Sequence, residues 1–165
     1  MFSLVNLAFH LVAAYFILNL SVFWFALLLH FIIMSFTFFL FEIWLKIRFN
    51  TMYYSVSAQE IKWYRVFRVT WFRWLLIHTP LKWMNQRIKP GKTNIHQTVY
   101  FINEAETAHG INFIIVIAIA LGISFMQFQL ALWLLFINIF TNVYPIMVQR
   151  YNRYRIQQLL RSKLQ

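Results

Sequence analysis

The sequence predicts an all-α membrane protein with four transmembrane helices, arranged as two hairpins with an interfacial amphipathic helical segment between them. Three observations lead to this prediction. Hydrophobic residues make up 61% of the 165 residues and charged residues only 12%, whereas soluble domains are about 25% charged. Two long stretches carry almost no charge, and the basic residues lie in two blocks that border them. A protein this small cannot hide such a composition from water, but in a bilayer its apolar surface can face lipid.

The first apolar stretch, residues 1–45, contains a single formally charged residue, Glu42. As one helix it would be about 65 Å long, which is about twice the hydrocarbon thickness of a bilayer. We therefore expect the stretch to fold back once, and Asn19-Leu20-Ser21 supplies turn-forming residues. The predicted spans are about 4–18 and 22–45.

Three polar side chains of this first hairpin have simple structural interpretations. Glu42 can pair with Lys46 one helical turn later as a solvated ion pair, which we favour over a carboxylate that faces the bundle interior. His10 and His30 each stand alone among apolar residues. They are expected to form interhelical hydrogen bonds rather than to bind metal.

The second apolar stretch, residues 110–148, carries no charge, and Gln127-Phe128-Gln129 is its polar break. The predicted spans are about 110–126 and 130–148. Four spans place both termini, the central segment 46–107 and the tail 149–165 on one side of a single membrane domain. All fifteen Lys and Arg border the spans on that side, so the positive-inside rule predicts that both termini are cytoplasmic.

The central segment contains a basic and aromatic stretch, residues 61–76. Its basic and aromatic side chains would occupy different arcs of one helix, and Pro80 would end that helix. Such a helix is expected to lie in the headgroup layer. The net charge of +11 therefore indicates contact with membrane lipids rather than with nucleic acid. The residues of the two arcs are Lys62, Arg65, Arg68 and Arg73, and Trp63, Phe67, Trp71 and Trp74.

Glu106 and His109 are the candidate catalytic residues. On a helix they are neighbours on one face, and a carboxylate beside an imidazole orients the ring and raises its basicity, as a general base requires. The alternative is a charged helix start, in which Glu104 and Glu106 stabilise the positive end of the helix dipole. Ionisable residues at membrane depth are costly and usually functional, which favours the catalytic interpretation.

A second polar cluster follows the fourth predicted span, where residues 142–155 read NVYPIMVQRYNRYR. Pro145 is expected to kink the helix and to free backbone carbonyls. Arg150 and Arg153 are expected to hold a phosphate or an acidic partner. A basic stop-transfer anchor is the alternative, but an anchor needs only Lys and Arg, whereas this cluster also contains Gln, Asn and Tyr.

The sequence offers no sign of a bound metal or cofactor. There is no cysteine, the five histidines are scattered, and only three glycines are available for a phosphate-binding loop. HExxH, GxGxxG, P-loop and GxSxG patterns do not occur. We therefore predict a protein without a metal or resident cofactor.

The residues Gln149-Arg150-Tyr151-Asn152-Arg153, followed by Arg155 and preceded by Asn142 and a proline, resemble the C-terminal signature of the glycosyl-4,4'-diaponeurosporenoate acyltransferases. These are small bacterial membrane enzymes of the staphyloxanthin type of carotenoid pathway. Their Ala-Glu-x-x-His motif is matched by Ala105, Glu106 and His109. The resemblance covers about residues 60–165. Departures at Glu104, Gly110, Pro145 and Tyr154 leave open a relative that acts on another glycolipid.

The resemblance implies transfer of a fatty acyl group from acyl-CoA, or a similar thioester, to a hydroxyl of a lipid-linked sugar in the bacterial cytoplasmic membrane. His109 and Glu106 would carry the chemistry. Two other classes stay open: another intramembrane lipid-modifying enzyme, such as a methyltransferase or reductase, and a non-catalytic subunit that binds anionic lipid. Association with a second copy or with pathway enzymes is also left open. The predicted substrate-binding residues are Asn142, Gln149, Arg150, Tyr151, Asn152, Arg153, Arg155, Arg65 and Arg68.

Overall fold

The computed structural model describes residues 2–40, 53–79 and 94–162. Within these ranges the regular structure is entirely helical, so the all-α part of the fold prediction is confirmed. The elements are α1 (Phe2–Leu40), α2 (Ala58–Val66), α3 (Val69–His78), α4 (Ile95–Ser124), α5 (Phe128–Asn138), a π-helical segment (Ile139–Val143) and α6 (Tyr144–Ser162).

The predicted turn at Asn19-Leu20-Ser21 is wrong, because α1 runs through it as a continuous helix of 39 residues. The two polar side chains bond to their own helix. Asn19 Nδ2 donates to the Tyr15 carbonyl at 2.8 Å, and Ser21 Oγ donates to the Leu18 carbonyl at 2.7 Å. Asn and Ser favour turns because they bond to nearby backbone. Here both side chains bond to carbonyls of α1 itself, so the helix continues through them.

Three helices in the described part of the chain are long and apolar enough to cross a membrane, rather than the four predicted. They are Ile17–Leu40, Ile95–Ser124 and Phe128–Ser162. The second hairpin is confirmed, since α4 ends at Ser124 and α5 begins at Phe128, close to the predicted break. Both of its helices extend beyond the predicted spans. The Glu42 and Pro80 predictions and the side chain of His10 lie outside what the structure describes.

A three-span chain has a different topology from the predicted one. An odd number of crossings puts the N-terminus on the side opposite the central segment and the tail. The first Lys or Arg is Lys46, so an external N-terminus is compatible with the positive-inside rule.

Cysteine labelling can test this topology cleanly, because the chain has no cysteine of its own. We expect a membrane-impermeant maleimide to label Ser3→Cys and Gln127→Cys in intact cells, and Ser162→Cys only after lysis. Labelling of Gln127→Cys together with protection of Ser3→Cys would restore the four-span arrangement.

The helices of the bundle pack through small residues. Ala26 of α1, Ala120 of α4 and Ala131 of α5 are all buried, together with Leu134. Between helices in a membrane, small side chains allow the close approach on which packing depends. Large hydrophobic side chains such as Trp24 are exposed on the outside of the bundle, where lipid would cover them.

The predicted single amphipathic helix over residues 61–76 is wrong, because the chain breaks into α2 and α3 at Arg68. This residue has φ 50° and ψ 38°, a left-handed conformation. In one continuous helix, Arg68 would lie on the same stripe as Ile61 and Tyr64, which are buried against α6. The break instead places Val69, which is fully buried, on the packed face and leaves Arg68 exposed.

Candidate functional site

A buried ion cluster joins α4 to α6, and Glu106 is its centre. The Glu106 side chain is fully buried. Arg150 Nη1 donates to its Oε1 at 2.8 Å, and Arg153 Nη2 donates to its Oε2. Arg153 is itself 2% exposed. Buried charges are stable only when paired, so each of these groups depends on the others.

Glu60 of α2 extends the cluster to a third helix. Arg150 donates to Glu60 from Nε and, at 3.0 Å, from Nη2. The remaining Arg150 donors bond to the carbonyls of Tyr53 at 2.7 Å and Ser55 at 2.8 Å. A guanidinium has five N–H groups, and all five of Arg150 are therefore used within the protein. This leaves no donor of Arg150 for a substrate phosphate.

The protonation of Glu60 is set by this contact. Burial alone would raise the pKa of Glu60, but hydrogen bonds from Arg150 and Tyr64 outweigh it and hold the pKa below its usual value. Burial, and then the hydrogen bond to Glu60, raises the pKa of Tyr64. Because the folded-state pKa of Glu60 is lowered, its stabilising contribution is complete at neutral pH and is lost on acidification through that lowered pKa.

Arg153 packs against the segment that leads into α2. Its Nη1 donates to the Tyr54 carbonyl at 2.8 Å, and its guanidinium carbon lies 4.9 Å from the centre of the Tyr54 ring. The Tyr54 hydroxyl lies 2.6 Å from Oγ1 of Thr107 on α4. The cluster thus fixes residues 53–60 against the junction of α4 and α6.

His109 is held by Asn142 and not by Glu106, so the predicted Glu106–His109 pair is wrong. Its Nδ1 lies 3.0 Å from Asn142 Oδ1. Asn142 Nδ2 donates to Asn138 Oδ1 at 2.7 Å, which leaves Asn142 Oδ1 as an acceptor and makes Nδ1 of His109 the donor. A neutral imidazole with its proton on Nδ1 has its lone pair on Nε2. The carboxylate of Glu106 is instead neutralised by the two arginines.

The π-helical segment carries two polar side chains that contact histidines of other helices. Asn142 contacts His109 of α4. Pro145 has no N–H, so it cannot bond to the Thr141 carbonyl as a helical residue normally would. The Thr141 hydroxyl also lies 2.7 Å from Nε2 of the fully buried His30 on α1. The prediction that His30 forms an interhelical hydrogen bond is confirmed. Near Pro145, for which a kink was predicted, the helix changes to a π-helical segment at Ile139–Val143.

A family model for glycosyl-4,4'-diaponeurosporenoate acyltransferase matches residues 44–162. The chain belongs to this acyltransferase family. The match begins after α1 and includes Glu60, Glu106, His109 and Asn142, which confirms the resemblance seen in the sequence. A search of curated proteins and a search of solved structures give no match.

The family signature at residues 149–155 divides into buried and exposed positions. Gln149 is buried, and Tyr151 packs with Tyr64 and Val148. Asn152 Oδ1 accepts a hydrogen bond from Arg73 Nε at 3.0 Å. Much of the signature thus holds the helices together. Three predicted substrate-binding residues lie exposed on α2, at the α2–α3 break and on α6: Arg65, Arg68 and Arg155.

The candidate site also contains residues that were not predicted from the sequence. Glu60, Asn138 and Thr141 are the clearest. The pattern Ser57-Ala58-Gln59-Glu60 is a capping-box signal, and Ser57 Oγ does accept from the Glu60 N–H at 3.1 Å. That signal predicts a local role for Glu60, however, and gives no indication of a partner 90 residues away. Asn138 and Thr141 are polar residues inside an apolar stretch, which was an available signal for function.

Proposed function

We propose that this protein transfers a fatty acyl group from acyl-CoA, or a similar thioester, to a hydroxyl of a lipid-linked sugar, with a glycosyl carotenoid as the acceptor. One observation carries the proposal. The region that matches the acyltransferase family contains a histidine whose Nδ1 is fixed by Asn142. Acyl transfer to an alcohol needs a group that removes the hydroxyl proton, and an oriented neutral imidazole is suited to this.

The reaction can be written with His109 as the general base. Nε2 takes the proton of the sugar hydroxyl while the hydroxyl oxygen attacks the thioester carbonyl. The resulting tetrahedral intermediate expels the thiolate, and the new ester bond replaces the thioester bond. His109 then returns the proton to the thiolate, so that the products are an acylated sugar lipid and the free thiol. Asn142 Oδ1 accepts from Nδ1 throughout and stabilises the transient imidazolium.

In this proposal Arg150 and Arg153 bind the acidic partner Glu106 rather than a substrate phosphate. These ion pairs hold α4 against α6, and hence His109 near Asn142. Binding of the phosphates of a carrier such as coenzyme A falls to the exposed cations Arg65 and Arg155. The acyl chains of both substrates can stay in the bilayer while the reacting groups meet at His109.

A reconstituted assay tests the function directly. Protein in lipid nanodiscs is incubated with radiolabelled acyl-CoA and a glycosyl carotenoid, and the lipid extract is separated and counted. We expect label on the glycosyl carotenoid and none on the same carotenoid without its sugar, which is the matched control. Transfer to neither, or equally to both, by folded protein would contradict the proposal.

A further inference from the structure

A groove of about 560 Å³ lies between the α2–α3 pair and the start of α6. Phe67 and Trp71 line one side, and Phe140 and Tyr144 line the other. The Phe140 and Tyr144 rings are stacked, with centroids 5.6 Å apart, and Phe72 packs 4.9 Å from Tyr144. The volume is in the range of small-molecule pockets, about 300–1,000 Å³. Because the lining side chains are mostly aromatic or aliphatic, an apolar chain would pack well against them.

The groove runs from a candidate span to the basic central segment. Phe140 and Tyr144 belong to the span Phe128–Ser162, whereas Phe67 and Trp71 lie outside the three candidate spans. Phe67, Trp71 and Phe140 are each about half exposed. An occupant with an apolar tail and a polar head would match this change of surroundings.

Arg68 supplies the charge at the groove. It is the charged residue among the described lining residues, and its side chain is exposed. In the part of the chain that the structure describes, no carboxylate pairs with its guanidinium. Its backbone is left-handed, a conformation that glycine adopts without steric cost. Because the backbone conformation would favour glycine here, the presence of an arginine is better explained by its charged side chain. Lys62 and Arg65 are also exposed on the adjoining helix.

The groove is separate from His109. Phe140 and Tyr144 each lie two residues from Asn142, which is close to half a turn in either an α-helix or a π-helix. Asn142 faces His109, so the groove is on the opposite side of the same helix. His109 is not among the residues that line the groove.

We propose that this groove binds an anionic phospholipid, with one acyl chain along the aromatic walls and the phosphate on Arg68. An arginine suits a phosphate because its fork can donate two parallel hydrogen bonds. The lipid would fill the space between the interfacial helices and the bundle, and it would not take part in acyl transfer.

The test measures lipid binding by native mass spectrometry of the detergent-solubilised full chain. Phosphatidylglycerol and phosphatidylcholine with identical acyl chains are titrated against wild-type protein, Arg68→Gly and Arg161→Gln. We expect wild type to bind phosphatidylglycerol about tenfold more tightly, a difference of about 1.4 kcal/mol. Arg68→Gly should lose that preference. Arg161→Gln removes the same charge from an exposed position outside the groove and should keep that preference.

The glycine variant separates a binding role from a structural one. Because glycine relieves the left-handed backbone, Arg68→Gly is expected to melt no lower than wild type in lipid-free detergent. Retention of the full preference by Arg68→Gly would overturn the proposal. Displacement of phosphatidylglycerol by an equimolar amount of long-chain acyl-CoA would also overturn it, since the groove would then be a donor site.

Discussion

Replacing Glu106 with glutamine is expected to destabilise the protein by about 3–5 kcal/mol, the usual cost of breaking a buried ion pair by removing one partner. The Glu106 side chain is fully buried and bonds to two arginines. Its loss would leave Arg153, which is 2% exposed, without a counter-charge. The measurement is the thermal unfolding of purified protein in detergent, followed by circular dichroism.

Glu104→Gln is the matched control, because it makes the same chemical change on the same helix and Glu104 is only half-buried. Glu60→Gln should destabilise the protein less than Glu106→Gln. The Glu60 side chain is 25% exposed, so water can replace part of the hydrogen bonding that its carboxylate provides. Equal melting temperatures for Glu106→Gln and Glu104→Gln would show that the cluster contributes nothing to stability.

Arg150→Lys tests the same cluster from its cationic side. Lysine keeps the charge but has three donors in place of five, and it cannot form the two-pronged contact. Substitution should therefore lower the melting temperature even though the net charge is unchanged. If the lysine variant were as stable as wild type, bulk charge alone would explain the cluster.

Replacing His109 with alanine is expected to lower kcat for acyl transfer by about 10²–10⁴-fold, the usual contribution of general acid–base catalysis. His109 is half-buried, so the helical bundle should remain folded. The assay is the nanodisc reaction described above, at saturating acyl-CoA, with the melting temperature measured on the same preparations.

His96→Ala is the control for His109→Ala, since His96 is an exposed histidine in the first turn of the same helix. Asn142→Leu should give an intermediate loss of kcat, because it removes the group that fixes the imidazole proton on Nδ1 but leaves the base. Near-normal turnover by folded His109→Ala would make the histidine a structural partner of Asn142 only, and the proposed mechanism would be wrong.

The second hairpin could be predicted because a charge-free stretch of that length is constrained by the thickness of a bilayer. The first could not be predicted correctly from the same reasoning. Asn19 and Ser21 suit a turn, but both can also bond to the carbonyls of their own helix, and hydropathy does not distinguish these outcomes. The break at Arg68 could not be predicted from the sequence either, since it depends on which face of α2 packs against α6.

The structure brings residues of the predicted site together, but in a different pairing from the predicted one. His109, Glu106, Asn142, Arg150 and Arg153 were all identified from local patterns. Spacing along one helix suggested that Glu106 serves His109, yet two arginines from α6 compete for the same carboxylate and bind it more strongly than a neutral imidazole could. Pairings between distant segments depend on tertiary packing, which local periodicity does not encode.

The chain distance between the partners of the ion cluster has a consequence for biosynthesis. Glu106 precedes Arg150 by 44 residues and Arg153 by 47, so its carboxylate is synthesised before either counter-ion. Until α6 packs against α4, Glu106 lacks both arginine partners and is stable only when it is protonated or hydrated. A product truncated ahead of Arg150 would keep an uncompensated acidic group in its second candidate span. The cluster thus makes completion of the last helix a condition for stable residence in the bilayer.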